Sequence, residues 1–584
     1  MTITTLRHGF MAESAVTWDV IVLGGGAAGL VAAFHARQAG ASVLVVNKGL
    51  VGRSGATITS GGGVSIAGES LRAIGVEADA SDTEERFLHD TIAAGSWLND
   101  QQLVQSMVTG IGAEMQRLID WGIKFSVNRR APGHSSGRGV HISGIDMQRA
   151  LTRIAQQAGV SFREDFQSTQ LLKREGAVVG VLGLDRRTGS VDSIYGHSTV
   201  LATGGATSNW SLRTAPEELS GEGQRMAVEA GATLIDMEMM QFLPCCLAAP
   251  AIWRGLQFPW ILGPQSGVHA WLMNRFGERF MARWDPKRME LATRDMVSAA
   301  CATEVYEGRG SPNGGVYLSW KHLPNDIIDN FPATSRSISA EWQWEGFDMT
   351  PLVERIKQGY AIEVAPAAHF SLGGVRVDAG TATGVPGLFA CGEVTGAMHG
   401  ANRLSGNAGA QVLVQGRIAG QAAATDARQR RALDRRADNQ DAALAVTVAP
   451  FERSKGVAPF ELKESLAQLA ERALGPVRTA SALEQGLTQL AGLKSNVLPQ
   501  LACRTRDRMW NRDWSDALEC QAAFSVIESA LLGAVGRDHS IGAHQRHDNK
   551  QADSGVLSHS LVHFAAGGLK RNTTPVTFAL VARP

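Results

Sequence analysis

Three buried-strand motifs, each ending in glycine, predict an α/β fold built on a two-dinucleotide-binding, Rossmann-like domain. The first is Trp18-Asp19-Val20-Ile21-Val22-Leu23 running into Gly24-Gly25-Gly26-Ala27-Ala28-Gly29. The second is Leu201-Ala202-Thr203-Gly204-Gly205, and the third is Val385-Pro386-Gly387-Leu388-Phe389-Ala390-Cys391-Gly392-Glu393. The long interval before the third motif implies an inserted domain.

The first motif is followed by an Ala-rich helix to about Gly40 and a second strand, Ser42 to Val46. This strand–turn–helix–strand context is what the dinucleotide fingerprint requires. Gly24 permits the tight turn, Gly26 lets backbone reach a pyrophosphate, and Gly29 lets the helix pack on the strand. The helix N-terminus then offers free N–H groups to the phosphates, with Ala28 in its first turn. The acid expected at the end of the second strand is Asn47, beside Lys48. Its amide is expected to bond ribose hydroxyls. The small-residue loop Arg53 to Gly63, with Ser54, Gly55 and Gly62, is expected to wrap the cofactor.

A helical stretch is expected from Thr83 to Trp121, and a further helix from about Gly144 to Ala158. Short strands then lead to the second motif, whose Ala202, Thr203 and Gly204 are expected at the cofactor. Ser220-Gly221-Glu222-Gly223 opens a helix through Ala230, with Glu222 placed to touch the cofactor from the helix start. A strand-like segment, Gly231 to Phe242, closes this half. In the third motif a short buried strand is stopped by Gly392, and Glu393 is placed to bond a hydroxylated cofactor chain. His369, before the Gly373-Gly374 turn, and Arg403, in a Gly/Asn/Ser-rich segment, share this frame. That segment runs into a helical pattern containing Ala408 and Gly409. From about Ala432, Ala, Leu, Arg and Gln recur at helical spacing, and Gly555 to Pro584 reads as short strands and turns.

Lys plus Arg and Asp plus Glu each number 56, so nothing points to a nucleic-acid surface. No apolar run approaches the roughly 20 residues of a membrane span. The first 19 residues lack the apolar core of a signal peptide, and a frayed cytoplasmic tail is expected. Six cysteines occur, with no CxxC and no ferredoxin or zinc spacing, so no iron–sulfur cluster or metal site is expected in this chain.

Together with DMEMMQF (236–242), GERFMARW (277–284), LATRD (291–295), AHFSLGG (368–374) and HGANRLSGN (399–407), the three motifs resemble the flavoprotein family of succinate dehydrogenase, fumarate reductase and L-aspartate oxidase. The resemblance covers nearly the whole chain. It implies FAD, an inserted α+β capping domain and a C-terminal helical domain. The implied division is residues 1–242 and 360–431 for the FAD-binding domain, 243–359 for the cap, 432–554 for the helical domain and 555–584 for a tail. It also implies that Arg294 passes a proton to or from the substrate carbon, while His369 and Arg403 clamp a substrate carboxylate. A small-molecule carboxylate substrate, and an electron acceptor or separate electron-transfer protein, follow as partners.

The departures are as informative as the matches. The family's histidine after Gln-Phe is Leu243, its Thr and Glu become Leu262 and Gly263, and its relay arginine becomes Ser266. The far end of the pocket is therefore expected to be apolar, and succinate disfavoured, because an unpaired buried carboxylate costs several kcal/mol. The family's flavin-tethering histidine aligns with Gly55, so FAD should be held non-covalently. Arg53-Ser54-Gly55-Ala56 instead resembles the loop of the adenylylsulfate reductase flavoprotein, whose iron–sulfur chain is a separate polypeptide. The expected function is flavin-dependent hydride transfer at a carbon–carbon bond beside a carboxylate. The alternatives are an electron-transfer flavoprotein subunit of the adenylylsulfate reductase kind and an amino-acid oxidase of the L-aspartate oxidase type.

Overall fold

The computed structural model describes residues 11–258, 261–263, 268–329, 350–430, 437–549 and 555–584. Residues 1–10 of the expected frayed tail lie outside this set. Residues 11 onward already belong to the first strand, β1 (Met11–Leu23), which leads into α1 (Ala27–Gln38) and β2 (Val43–Val46).

The helical stretch expected over 83–121 consists of two helices, α2 (Glu84–Ala94) and α3 (Gln101–Asp120). Ser96 and Trp97 adopt positive φ, and the Asp100 carboxylate caps the backbone N–H groups of Gln102 and Leu103. A local cap thus overrides a continuous apolar period. Then follow α4 (Gly144–Gln157), β3 (Ser161–Arg163), β4 (Phe166–Arg174), β5 (Ala177–Asp185) and β6 (Val191–Leu201).

The main sheet runs β3-β2-β1-β6-β5-β4. In β6 the first half pairs antiparallel with β5, while Thr199–Leu201 pairs in parallel with β13 (Leu388–Ala390), the strand of the third motif. Leu23 and Ala390 both stand in register with Leu201. The glycine ends of all three motifs therefore emerge side by side at one edge. Ligands of such sheets collect at these carboxyl ends.

Between motifs two and three lie α5 (Glu222–Ala230), β7 (Leu234–Ile235) and β8 (Met240–Leu247). After these come β9 (Trp271–Met273), α6 (Arg294–Tyr306), β10 (Val316–Ser319), β11 (Ile362–Ser371) and β12 (Gly374–Val375). A second sheet, β8-β11-β10-β9, covers an apolar core of its own that includes Phe258, Leu272, Phe280, Val316 and Trp320.

The C-terminal part supplies α7 (Asn407–Gln429), α8 (Gln440–Glu452), α9 (Pro459–Ala473), α10 (Ala480–Asn496) and α11 (Arg512–Val535). By length and composition α11 could cross a membrane, but 72% of its most apolar window is buried within the fold. The last residues hold short strands, as expected. The hairpin β14 (Ser558–Ala565) and β15 (Gly568–Pro575) extends the sheet β12-β7-β14-β15.

Candidate active site

A continuous cavity of about 540 Å³ runs along the glycine edge, the size class of a small-molecule site. Every residue expected at the cofactor lines it except Gly29. Gly29 is a packing residue: a Cβ there would sit 1.9 Å from the Gly24 carbonyl oxygen, so the turn and the helix touch through backbone. Gly24 has φ +113°, and a Cβ on it would lie 2.2 Å from the Ala202 oxygen. The first two motifs are thus in direct main-chain contact, and α1 presents its N-terminus to the cavity.

Asn47 lines the cavity, yet its amide braces the glycine turn. Its Oδ1 accepts from Gly25 N (2.8 Å), and Nδ2 donates to Gly49 O and Ser54 Oγ (both 3.0 Å). Both amide hydrogens are used within the protein, so a ribose hydroxyl could meet this amide only at its oxygen. Lys48 is likewise engaged: its Nζ lies 2.6 Å from both Glu222 and Glu519. Around the cavity, Thr203 Oγ1, Gln167 Oε1 and His134 Nδ1 are buried without a hydrogen-bond partner among the described residues. Unsatisfied groups of this kind call for a polar ligand. Glycine-edged backbone, a helix N-terminus and orphaned polar atoms together fit a dinucleotide such as FAD. When bound, FAD supplies a two-electron acceptor or donor.

Away from the fingerprint, the cavity meets Arg294, His369 and Arg403. Arg294 opens α6, where the positive end of the helix dipole disfavours additional cationic charge. Its Nη1 lies 3.4 Å from Gln241 Oε1 and its Nη2 3.4 Å from Ser405 Oγ. Among the described residues it has no carboxylate partner; neither Asp295 nor Glu278 forms an ion pair with it. Burial lowers its pKa to about 10. Arg403 is buried, donates from Nε to the same Gln241 Oε1 (3.1 Å), and holds its Cζ 4.6 Å from the Phe370 ring centre. Burial and the nearby Arg294 push its pKa well down. The acid facing this pair is Glu393, whose carboxyl burial raises to about 7 and which accepts from Ser371 N at 3.0 Å.

His369 owes its position to a β-bulge. Gln241 pairs with Phe370 while Phe242 pairs with Ala368, leaving His369 as the extra residue on β11. Bulges re-aim side chains in this way. Its Nδ1 is 2.7 Å from Thr214 Oγ1. Burial, together with Arg294 and Arg403, holds the imidazole far below its usual range and therefore neutral.

The far end differs from expectation. Leu243 is fully buried in the apolar core beneath the second sheet and does not line the cavity. Its side chain packs into that core. Ser266 lies outside the described residues, as does the side chain of Leu262. Thr214, Gly255, Leu256 and Gln257 line the cavity, as does the loop from Arg130 to His134, and Thr214 and Gly255 belong to the His369 side of it. Sequence reasoning did not single out Gln241, the shared acceptor of both arginines, although it lies within the DMEMMQF run. Thr214 carried no signal, since its partner is 155 positions away.

Comparison with known proteins agrees with this geometry. A family model described as FAD binding domain matches residues 19–408, and one described as Fumarate reductase flavoprotein C-term matches residues 463–584. One chain of the fumarate reductase (CoM/CoB) of Methanothermobacter marburgensis is 31% identical over 91% of this chain and 94% of its own. The L-aspartate oxidase of Streptomyces coelicolor is 30% identical over 95% and 92%. Among solved structures, an E. coli quinol fumarate reductase chain superposes with TM-score 0.84 at 26% identity, covering 98% of both chains. Adenylylsulfate reductase from Archaeoglobus fulgidus shares the fold, with TM-score 0.75 at 18% identity over 98% and 97%. The chain belongs to the family of FAD-dependent oxidoreductases that contains the fumarate reductase and succinate dehydrogenase flavoproteins.

Proposed function

We propose that the protein transfers a hydride between FAD and a carbon of a substrate bearing one carboxylate, with an uncharged group at its far end. The observation that carries this reading is the pair of cations facing the cavity, Arg294 and Arg403, which share a neutral acceptor and lack a carboxylate partner among the described residues. Two desolvated guanidinium groups with no ion pair among the described residues favour an anionic ligand. Arg403 supplies a fork suited to a carboxylate, with His369 beside it. Arg294, acidified by burial, delivers or takes the proton at the adjacent carbon. Gly255, Leu256 and Gln257, which also line the cavity, carry no charge.

The electron acceptor is a diffusible oxidant or a separate protein, as befits a flavoprotein of this family. Its six cysteines are buried free thiols. Anaerobic mixing of the holoprotein with matched mono- and dicarboxylates, while flavin absorbance is followed, tests the substrate. A monocarboxylate should reduce the enzyme, or reoxidise its dithionite-reduced form, faster than succinate or fumarate does. The reverse order would remove the uncharged-end argument. Arg294→Lys should keep FAD and lose about 10²–10⁴-fold in turnover, the usual contribution of a positioned proton donor. Full activity would deny it that role.

A further inference from the structure

We propose that Thr214 is a positioning residue: its hydroxyl locks His369 as the Nε2–H tautomer, so that the imidazole presents a donor to an anionic substrate group. The inference rests on the reading of His369 as part of the carboxylate clamp. Main chain first brings the two side chains together. Ala368 N donates to Leu212 O (2.9 Å) and Thr214 N donates to Ala368 O (3.0 Å), so segment 212–214 is tied to β11 next to the bulge. The Thr214 Oγ1 to His369 Nδ1 distance is 2.7 Å, and among the described residues neither side chain has another hydrogen-bond partner.

The direction of that bond follows from the partners available. If Nδ1 carried the proton, Thr214 Oγ1 would accept it, and the hydroxyl hydrogen would be left without a protein acceptor. Nε2 would then turn a lone pair toward the cavity. That lone pair would repel the anion that Arg294 and Arg403 attract. With the proton on Nε2, the Thr214 hydroxyl donates to Nδ1 and three donor groups converge on the ligand. The neutral state of the ring, enforced by burial and two guanidinium neighbours, makes the choice of tautomer decisive. A protonated ring would donate from both nitrogens and need no such partner.

The test uses FAD-loaded full-length protein with ¹⁵N-labelled histidine. The His369 signals are identified by comparison with His369→Gln. Wild type should show a protonated Nε2 and an unprotonated Nδ1. Thr214→Val should mix or reverse that pattern, and Thr214→Ser should restore it. In flavin-absorbance titrations with crotonate and with fumarate, Thr214→Val should weaken binding about tenfold or more. In a His369→Gln background the same substitution should have no further effect, because Thr214 acts through the imidazole. A protonated Nδ1 in wild type, which needs no variant to observe, would overturn the proposal. So would an unchanged tautomer in Thr214→Val. If the tautomer shifts as expected but neither anion perturbs the flavin, the lock stands and the carboxylate clamp falls.

Discussion

Arg403 is held by neutral groups: an amide oxygen, a carbonyl and an aromatic face surround its guanidinium. Such a residue gains its full electrostatic partner only when an anion arrives. Arg403→Ala should therefore weaken carboxylate binding by about tenfold to a hundredfold, the scale of a charged hydrogen bond, and lower turnover as orientation is lost. Stopped-flow titration checks it. Glu393 behaves in the opposite sense. Its carboxyl ordinarily titrates near 4.5, and burial raises it to about 7. Between those values the folded protein keeps a proton that the unfolded chain has released. This group's contribution is thus fully present below pH 4.5 and is lost as pH rises through 7. Glu393→Gln should flatten that decline, by on the order of 2 kcal/mol. Urea unfolding of both proteins at pH 5 and pH 8 measures the difference.

At the scale of elements, the end of β2, the start of α5 and the middle of α11 are joined by charge. Lys48 binds Glu222 and Glu519, and Glu519 also receives Lys463 from α9 at 2.5 Å. Burial alone would raise the Glu519 carboxyl, but the two lysines prevail and bring it to about 2. Its stabilisation is present above the unfolded pKa near 4.5 and is lost as pH falls toward 2. Glu519→Gln leaves two lysines with fewer buried partners and should cost about 3 kcal/mol. Because Lys48 follows Asn47, the brace of the glycine turn, the variant should also release FAD faster. Thermal unfolding and flavin loss on gel filtration report the two effects. Unchanged values in both would show that α11 does not support the cofactor edge.

At the scale of the molecule, parallel pairing of β1, β6 and β13 brings three distant motifs to one edge, and β8 and β11 carry the chain to the cap core and back. That edge of the cavity is lined largely by main chain and small side chains. Gly55, which aligns with the family's tethering histidine, has no side chain to bond the flavin. FAD should therefore leave with the supernatant after acid precipitation. Yellow colour that stays in a washed pellet would demonstrate a covalent link.

The sequence by itself determined the fold class and the cofactor edge, because both depend on local facts. A buried strand ending in glycine is readable from a dozen residues, and pairing of such strands in parallel follows from their number and spacing. It also identified Arg294, His369 and Arg403 through motif resemblance. Only the tertiary structure decided which groups surround them. Gln241 sits 162 positions from Arg403, and Thr214 sits 155 positions from His369. The bulge that turns His369 inward is a register shift between two strands, invisible in either alone. Leu243 was misassigned to the pocket for the same reason: its residue type is legible, but the side of β8 on which it packs is set by the core beneath the second sheet. Asn47 and Lys48 kept their place at the cofactor edge yet spend their hydrogen bonds on the protein, since partners within 3 Å outrank any expectation drawn from position.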